Sequence, residues 1–442
     1  MPAQPPVVHN SRRLAYWSVG LLLLLNLLNY IDRQVVSAVL WQIKGDFQAS
    51  DTAVGALTTV FLLSYMCAAP LFGWLAEWLR RWTIVGIGVL IWSLASGASG
   101  LATSIGMLLF TRVWLGIGEA AYGPSAPTII ADLFPIERRG RVLAFFYAAI
   151  PVGSALGFLL GGLILKSGLS WHWAFLVVAP PGLVLGLIAF FMREPSRGAA
   201  AGARERATWR EFKQLVRIPS FVINTFGMAA MTFALGGLAA FVVKYIVWRQ
   251  GIDPTNKALL DEASGNAASI FGPILVVSGL TATLAGGWLG DKLQPRWSGA
   301  YFTISGIASL LAFPLVLAVT MAPVSWIWYL LFAACFCLFF NTGPTNTILA
   351  NVTNPAIRTA AFAINIFVIH ALGDAISPTL IGVINDANQV QSHGVIVENM
   401  NPGFITVSVA ILVGAVAWLY GARYLARDTQ RAGEPLREIV EN

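Results

Sequence analysis

The chain has 442 residues, of which 57% are hydrophobic and 11% charged, and its mean hydropathy is +0.71. Soluble globular proteins carry about 25% charged residues, so the composition excludes a soluble domain and points to an integral membrane protein. The formal charge of +7 does not argue for nucleic acid, because the cations sit in short segments between apolar runs, as positive-inside loops do.

Apolar runs of the roughly 20 residues needed to cross a bilayer recur about twelve times, at 14–40, 54–76, 83–103, 106–132, 142–166, 172–192, 220–246, 267–289, 299–320, 325–350, 359–385 and 403–425. No small-residue cleavage site follows the first run, so it reads as a span and not as a removable signal peptide. With the N-terminus inside, 21 of the 28 Lys and Arg residues fall in cytoplasmic segments and four (Lys44, Lys166, Arg249 and Lys257) on the other side. That bias predicts a multi-pass inner-membrane protein with both termini in the cytoplasm. Cys67, Cys335 and Cys337 lie inside apolar runs and read as small packing residues; their spacing fits neither a zinc site nor a disulfide framework.

Between the sixth and seventh runs, REPSRGAAAGARER is small and charged and reads as a linker. The following WREFKQLVR fits a short amphipathic surface helix. The expected organisation is a tail (1–13), a six-helix bundle (14–192), a cytoplasmic linker (193–218), a second six-helix bundle (219–425) and a second tail (426–442). The halves repeat. GWLAEWLRRW at 73–82 aligns with GWLGDKLQPRW at 287–297, with one extra residue. Pro135 to Arg138 matches Pro355 to Arg358, and Gly153 and Gly162 match Gly373 and Gly382, all at an offset of 220 residues. A fixed offset over such length marks duplication. Two six-helix halves joined by a linker suggest a transporter with its site between them.

In span 1, Asn29-Tyr30-Ile31-Asp32-Arg33 puts two charges in an apolar run. Either the span ends early and they lie in the headgroups, or they face an internal cavity. The apolar pattern resumes to Trp41 and favours Asp32 in the cavity, with Arg33 paired elsewhere or snorkelling. After span 2, Glu77, Arg80 and Arg81, with Asp132, Arg138 and Asp291, read as ion-pairing latch residues at the cytoplasmic face, or as ordinary positive-inside loops. In span 4, Arg112 and Glu119 are seven residues apart, so both project from one helix face about 10 Å apart. A charge at the centre of a membrane helix costs about 2.5–3.5 kcal/mol. The pair is either a structural brace or an anion site, Arg112 holding a headgroup and Asp32 or Glu119 accepting a proton.

Lys244, near the outer end of span 7, is placed to reach a headgroup or to snorkel. Asn341, with Asn346 and Asn351, adds polar groups in span 10. In span 11, His370 and Asp374 are i and i+4 and share a face, which favours cavity lining over packing. No nucleophile–base arrangement, metal-ligand spacing or phosphate-binding glycine loop is present in the sequence, so the chain reads as a non-enzyme without cofactor or metal.

The 73–82 loop resembles the loop motif of the major facilitator superfamily, with Glu77 in place of its aspartate and the second glycine missing. Asn-Tyr-x-Asp-Arg in span 1 and Gly-x-Gly-Glu-Ala in span 4 are shared with the superfamily's anion:cation symporters. APTIIADLF at 126–134, FYAAIPVGSALG at 146–157 and HALGDAISP at 370–378 are similar to the spinster family. That resemblance implies an all-α membrane protein of twelve transmembrane helices in two pseudo-symmetric six-helix bundles, working by alternating access. It also implies a single-chain lipid substrate, of sphingosine-1-phosphate or lysophospholipid type, and polar cavity residues at Asp32, Arg112, Glu119 and His370. The expected function is proton-coupled movement of such an amphiphile by a monomer. Rival readings are a transporter of a small organic anion, a multidrug exporter and a non-transporting lipid receptor.

Overall fold

The computed structural model describes residues 12–134, 136–195, 215–354 and 357–432. The first half holds span 1 (Arg12–Ala38), a short helix Leu40–Phe47, span 2 (Asp51–Trp78), span 3 (Arg81–Ser99), span 4 (Ile105–Leu133), span 5 (Ile136–Tyr147 and Ala149–Lys166) and span 6 (His172–Leu176 and Ala179–Phe191). The second half holds span 7 (Pro219–Arg249), span 8 (Lys257–Leu293), span 9 (Ala300–Met321), span 10 (Val324–Phe340 and Thr342–Val352), span 11 (Arg358–Ile369, a π-turn His370–Asp374, and Ser377–Ala387) and span 12 (Asn401–Gly421). Residues 12 and 432 lie on the same side of this even-numbered stack, called here the near side.

Eleven of these helices are long and apolar enough to cross a membrane. The twelfth, span 4, has 29 residues but carries Arg112, Glu119, Pro124 and Pro127. It packs between spans 2 and 3, which shelter its charges inside the first half. Spans 2, 4 and 8 start on the far side with side-chain caps. Ser50 accepts from the Ala53 amide (3.1 Å), Ser104 from Met107 (3.2 Å) and Asn256 from Leu259 (3.2 Å). Each answers one of the amides that a helix start leaves without an internal acceptor.

The repeat at offset 220 is visible in the packing. Gly153 in span 5 lets the Leu27 carbonyl and Tyr30 of span 1 approach, and Gly373 in span 11 does the same for Ala229 and Thr232 of span 7. Farther along the same helices, Gly162 meets Gly265 of span 8 and Gly382 meets Asp51 and Thr52 of span 2. The two halves are therefore related element by element, and the second pair of glycines lies in the seams between them. A Cβ at Gly382 would stand 2.5–2.6 Å from backbone atoms of Asp51 and Thr52. Gly382→Val is expected to push spans 2 and 11 apart and lower the unfolding temperature by several degrees, measured on the purified protein in detergent.

Several expected boundaries shift. Span 8 starts ten residues before its apolar run, because Asn256 caps a helix whose first turns carry Lys257, Asp261 and Glu262. A hairpin of two antiparallel strands, Gln389–Ser392 and Val395–Glu398, joins spans 11 and 12. The segment expected as a tail from 426 opens inside a short helix, Leu425–Arg431. There Asp428 is buried and accepts the Ser220 amide of span 7 at 2.9 Å. Most of the linker and of the expected WREFKQLVR surface helix lies outside the described residues, as do Pro135 and Pro355. Cys335 is buried as a packing residue should be, whereas Cys67 is exposed.

Candidate functional site

A cavity of about 170 Å³ lies between the halves, toward the far side. Its walls come from spans 1, 2, 4, 7 and 11; Arg33, Arg112, His370 and Asp374 are its charged or imidazole groups, beside the uncharged polar Tyr30, Gln34, Ser37 and Thr58 and apolar neighbours such as Leu57, Leu115 and Ala240.

Arg33 and Asp32 are consecutive and therefore about 100° apart around span 1. That rotation assigns them opposite surroundings. The guanidinium of Arg33 lies on the cavity wall and bonds Glu119, Nε to Oε2 at 2.8 Å and Nη2 to the same oxygen at 2.7 Å. Tyr30, Phe61 and Tyr65 surround it, with ring centroids 4.9–5.5 Å from its central carbon, within cation–π range. Asp32 points away from the cavity into the first half. It is fully buried, its Oδ1 accepts the Ser96 hydroxyl of span 3 at 2.6 Å, and its Oδ2 has no hydrogen-bond partner among the described residues. The expectation that Asp32 lines the cavity is thus not met, since Asp32 stands behind the wall; Arg33, expected to pair elsewhere or to snorkel, pairs with Glu119 and itself lines the cavity.

Arg112 and Glu119 share a face of span 4 but do not pair. Arg33 reaches Glu119 first. Arg112 donates from Nη2 to the Ser99 hydroxyl at 3.0 Å and stacks at 5.1 Å from the Phe175 ring centroid. Its Nε is buried without a partner among the described residues. The geometry therefore offers one cation already matched by a carboxylate and a second, in the same wall, with donors to spare.

His370 and Asp374 come together as their spacing requires. The carboxylate of Asp374 accepts from His370 Nδ1 at 2.9–3.0 Å. They sit on a π-turn in which Gly373 leaves helical geometry (φ −99°, ψ −106°). Single π-turns recur at functional sites because they re-aim side chains without ending the helix. Gly236 of span 7 provides the room, since a Cβ there would meet Asp374 at 2.6–2.7 Å.

Asn341 does not reach the cavity wall. It stands where span 10 breaks, and its amide turns back to the Leu338 carbonyl at 2.6 Å, closing the break locally. Asn346 is exposed and bonds the Thr342 carbonyl. Lys244 neither snorkels nor reaches outward; it is buried against Asp51, with Glu398 at 3.5 Å. The Lys244–Asp51 contact joins the halves, and apolar spacing gave no sign of it because the partners are 193 residues apart.

The near-side latch residues bond within halves. Arg81 bridges Asp132 (2.6 Å) and Glu194 (2.7 Å), tying the start of span 3 to the ends of spans 4 and 6. Arg80 donates to the Met192 carbonyl at 3.1 Å, and Asp291 accepts the Tyr301 hydroxyl at 2.9 Å instead of meeting an arginine. Arg138 is exposed, and the Glu77 side chain is outside the described residues. All side-chain hydrogen bonds and ion pairs that join described residues of the two halves lie at the cavity level or on its far side. They include Gln42–Asp261 (2.9 Å), Lys257–Asp46 (3.1 Å), Thr59–Thr379 (2.7 Å) and the cluster around Asp51. Sequence reasoning missed this far-side seal. Its signal was the run of polar residues at 42–52 and 385–398, which reads as loop until the halves are brought together. Within it, burial works against the charge on Lys44, but Asp51 and Glu398 more than offset this and raise its pKa above the ordinary lysine value.

Two pseudo-symmetric bundles with a charged cavity between them are the architecture of a multi-pass membrane transporter. The profile of the Major Facilitator Superfamily matches residues 22–378. Protein spinster homolog 1 of Xenopus tropicalis is 35% identical over 429 residues, covering 94% of this chain and 82% of that protein. Sphingosine-1-phosphate transporter SPNS2 of Danio rerio is 33% identical, covering 96% of this chain and 87% of that one. A crystal structure of a bacterial homologue of the human lysosomal transporter spinster, inward-facing and unoccupied, superposes with a TM-score of 0.82 at 22% identity over 95% of this chain and 99% of that one. The chain belongs to the spinster family of the major facilitator superfamily.

Proposed function

We propose that this transporter moves a single-chain amphiphile with an anionic or zwitterionic headgroup, of sphingosine-1-phosphate or lysophospholipid type, by proton-coupled alternating access. The observation that carries the reading is the convergence of Arg33 and Arg112 on one cavity between the halves. Guanidinium groups suit phosphate because their planar fork can donate two parallel hydrogen bonds. The headgroup binds Arg112 first, since that cation has unused donors, and then competes with Glu119 for Arg33. Protonation of Glu119 favours that exchange, protonation of Asp32 leaves Arg112 with less competing negative charge, and loss of the proton favours release. Asp374 and His370 form the opposite wall and provide the second-half contact. The relative named as a sphingosine-1-phosphate transporter supports the substrate class. The cation bias of the sequence supports the placement of both termini in the cytoplasm, and we read the chain as a monomer of a bacterial inner membrane.

The cavity volume favours a second reading. At about 170 Å³ it is smaller than the roughly 300–1,000 Å³ of ordinary small-molecule pockets. A headgroup fits and an acyl chain does not, so a lipid needs its chain between the parted halves, whereas a small organic anion fits whole. Purified protein in liposomes separates the two. Uptake of labelled lysophospholipid or sphingosine-1-phosphate is expected to rise with an imposed pH gradient and to fail in Asp32→Asn. Lipid flux indifferent to the gradient retains the substrate and removes the coupling. Flux of soluble organic acids but not of lipid gives the second reading.

A further inference from the structure

Twelve residues beyond Asp374 on span 11, about 18 Å along the helix, Asp386 reaches across to the other half. Its Oδ1 accepts the Asp51 amide at 2.8 Å, and its Oδ2 accepts the Thr52 amide at 2.8 Å and the Thr52 hydroxyl at 2.5 Å. These amides open span 2 and have no acceptor within their own helix. The side chain of Ser50, the local cap, takes only the Ala53 amide. A helix start carries partial positive charge and is best met by a carboxylate; here the carboxylate comes from the opposite half of the transporter. The neighbouring Asn385 donates to Asp51 Oδ2 at 3.0 Å, while Lys44 and Lys244 answer Asp51 Oδ1. Asp51, Asp386 and Glu398 approach within 4.8 Å of one another, and two ammonium groups and two amides offset their charge.

We propose that Asp386 is a positioning residue of the transport cycle, holding the start of span 2 in place while the far side is closed and releasing it when that side opens. The proposal rests on the alternating-access reading above but not on the identity of the substrate. It follows from the direction of the contacts. Near-side pairs such as Arg81–Asp132 stay within one half and survive any movement of the halves. The Asp386 bonds span both and cannot survive separation. Gly382, one turn earlier on the same helix, packs on the backbone of Asp51 and Thr52, so the carboxylate is held at its reach by direct helix contact.

The test is a pair of spin labels on the far side, at Thr103 in the first half and Met321 in the second, both exposed. Cys67, Cys335 and Cys337 are first replaced by Ala, and the protein is studied in liposomes by pulsed electron resonance. Asp386→Ala is expected to shift the ratio of short to long distances at least tenfold toward long. Asp386→Asn keeps an acceptor oxygen without the charge and is expected to shift it less, in the same direction. Should Asp386→Ala fold poorly, the Asn variant carries the test. A distribution unchanged in both variants, even with a lowered unfolding temperature, overturns the proposal and leaves Asp386 as a plain helix cap. A shifted distribution in a protein that moves no lysophospholipid supports it and removes the lipid substrate instead.

Discussion

Arg33→Ala is expected to abolish transport and to lower stability, and removing Glu119 as well is expected to restore stability alone. The Glu119 side chain is fully buried and its carboxylate takes both close bonds from Arg33. Truncating one partner of a buried pair strands the other charge and costs about 3–5 kcal/mol. Arg33→Ala/Glu119→Gln removes the stranded charge, so most of that loss should return. Transport should not return, because the cavity has lost a headgroup cation. Arg33→Lys keeps the charge but not the flat fork that fits among Tyr30, Phe61 and Tyr65, and should give partial flux. Thermal unfolding in detergent and lipid uptake in liposomes read the two effects separately. Normal uptake by Arg33→Ala would remove Arg33 from the site.

The fold was legible because apolar run length and cation bias are local properties of a membrane chain. Glycines at a fixed offset disclosed the duplication, and those same glycines mark equivalent helix contacts. Span 4 was legible for another reason: its polar content, which lowers its hydropathy below that of its neighbours, is what drew attention to Arg112 and Glu119. Partner choice was not legible. Spacing places Arg112 and Glu119 on one face, but whether they meet depends on which cation from another helix arrives first, and that cation is Arg33, 86 residues away. The far-side seal was illegible for a similar reason. Asp386 and Asp51 lie in stretches that look like loop ends, and only docking of the halves turns one into the cap of the other.

Arg112→Ala is the variant in which function and fold should part most clearly. The residue is buried, yet its one hydrogen bond among the described residues goes to the Ser99 hydroxyl, and no carboxylate lies within ion-pair distance of it there. The nearby carboxylates keep their own bonds when Arg112 is cut back: Asp32 with Ser96 and Glu119 with Arg33. Truncation therefore breaks less than in Arg33→Ala, and the unfolding temperature should fall by less. The missing contact to an anionic headgroup is another matter. A hydrogen bond to a charged group is worth about 1.5–3 kcal/mol, which is about 10–150-fold in affinity. The apparent KM for lysophospholipid should rise by that factor, or flux should vanish at accessible concentrations. Arg112→Lys, retaining charge without the bidentate fork, should fall between. An unchanged KM in a folded Arg112→Ala protein would mean that the headgroup binds elsewhere, and the unpartnered Nε of Arg112 would then need a different explanation.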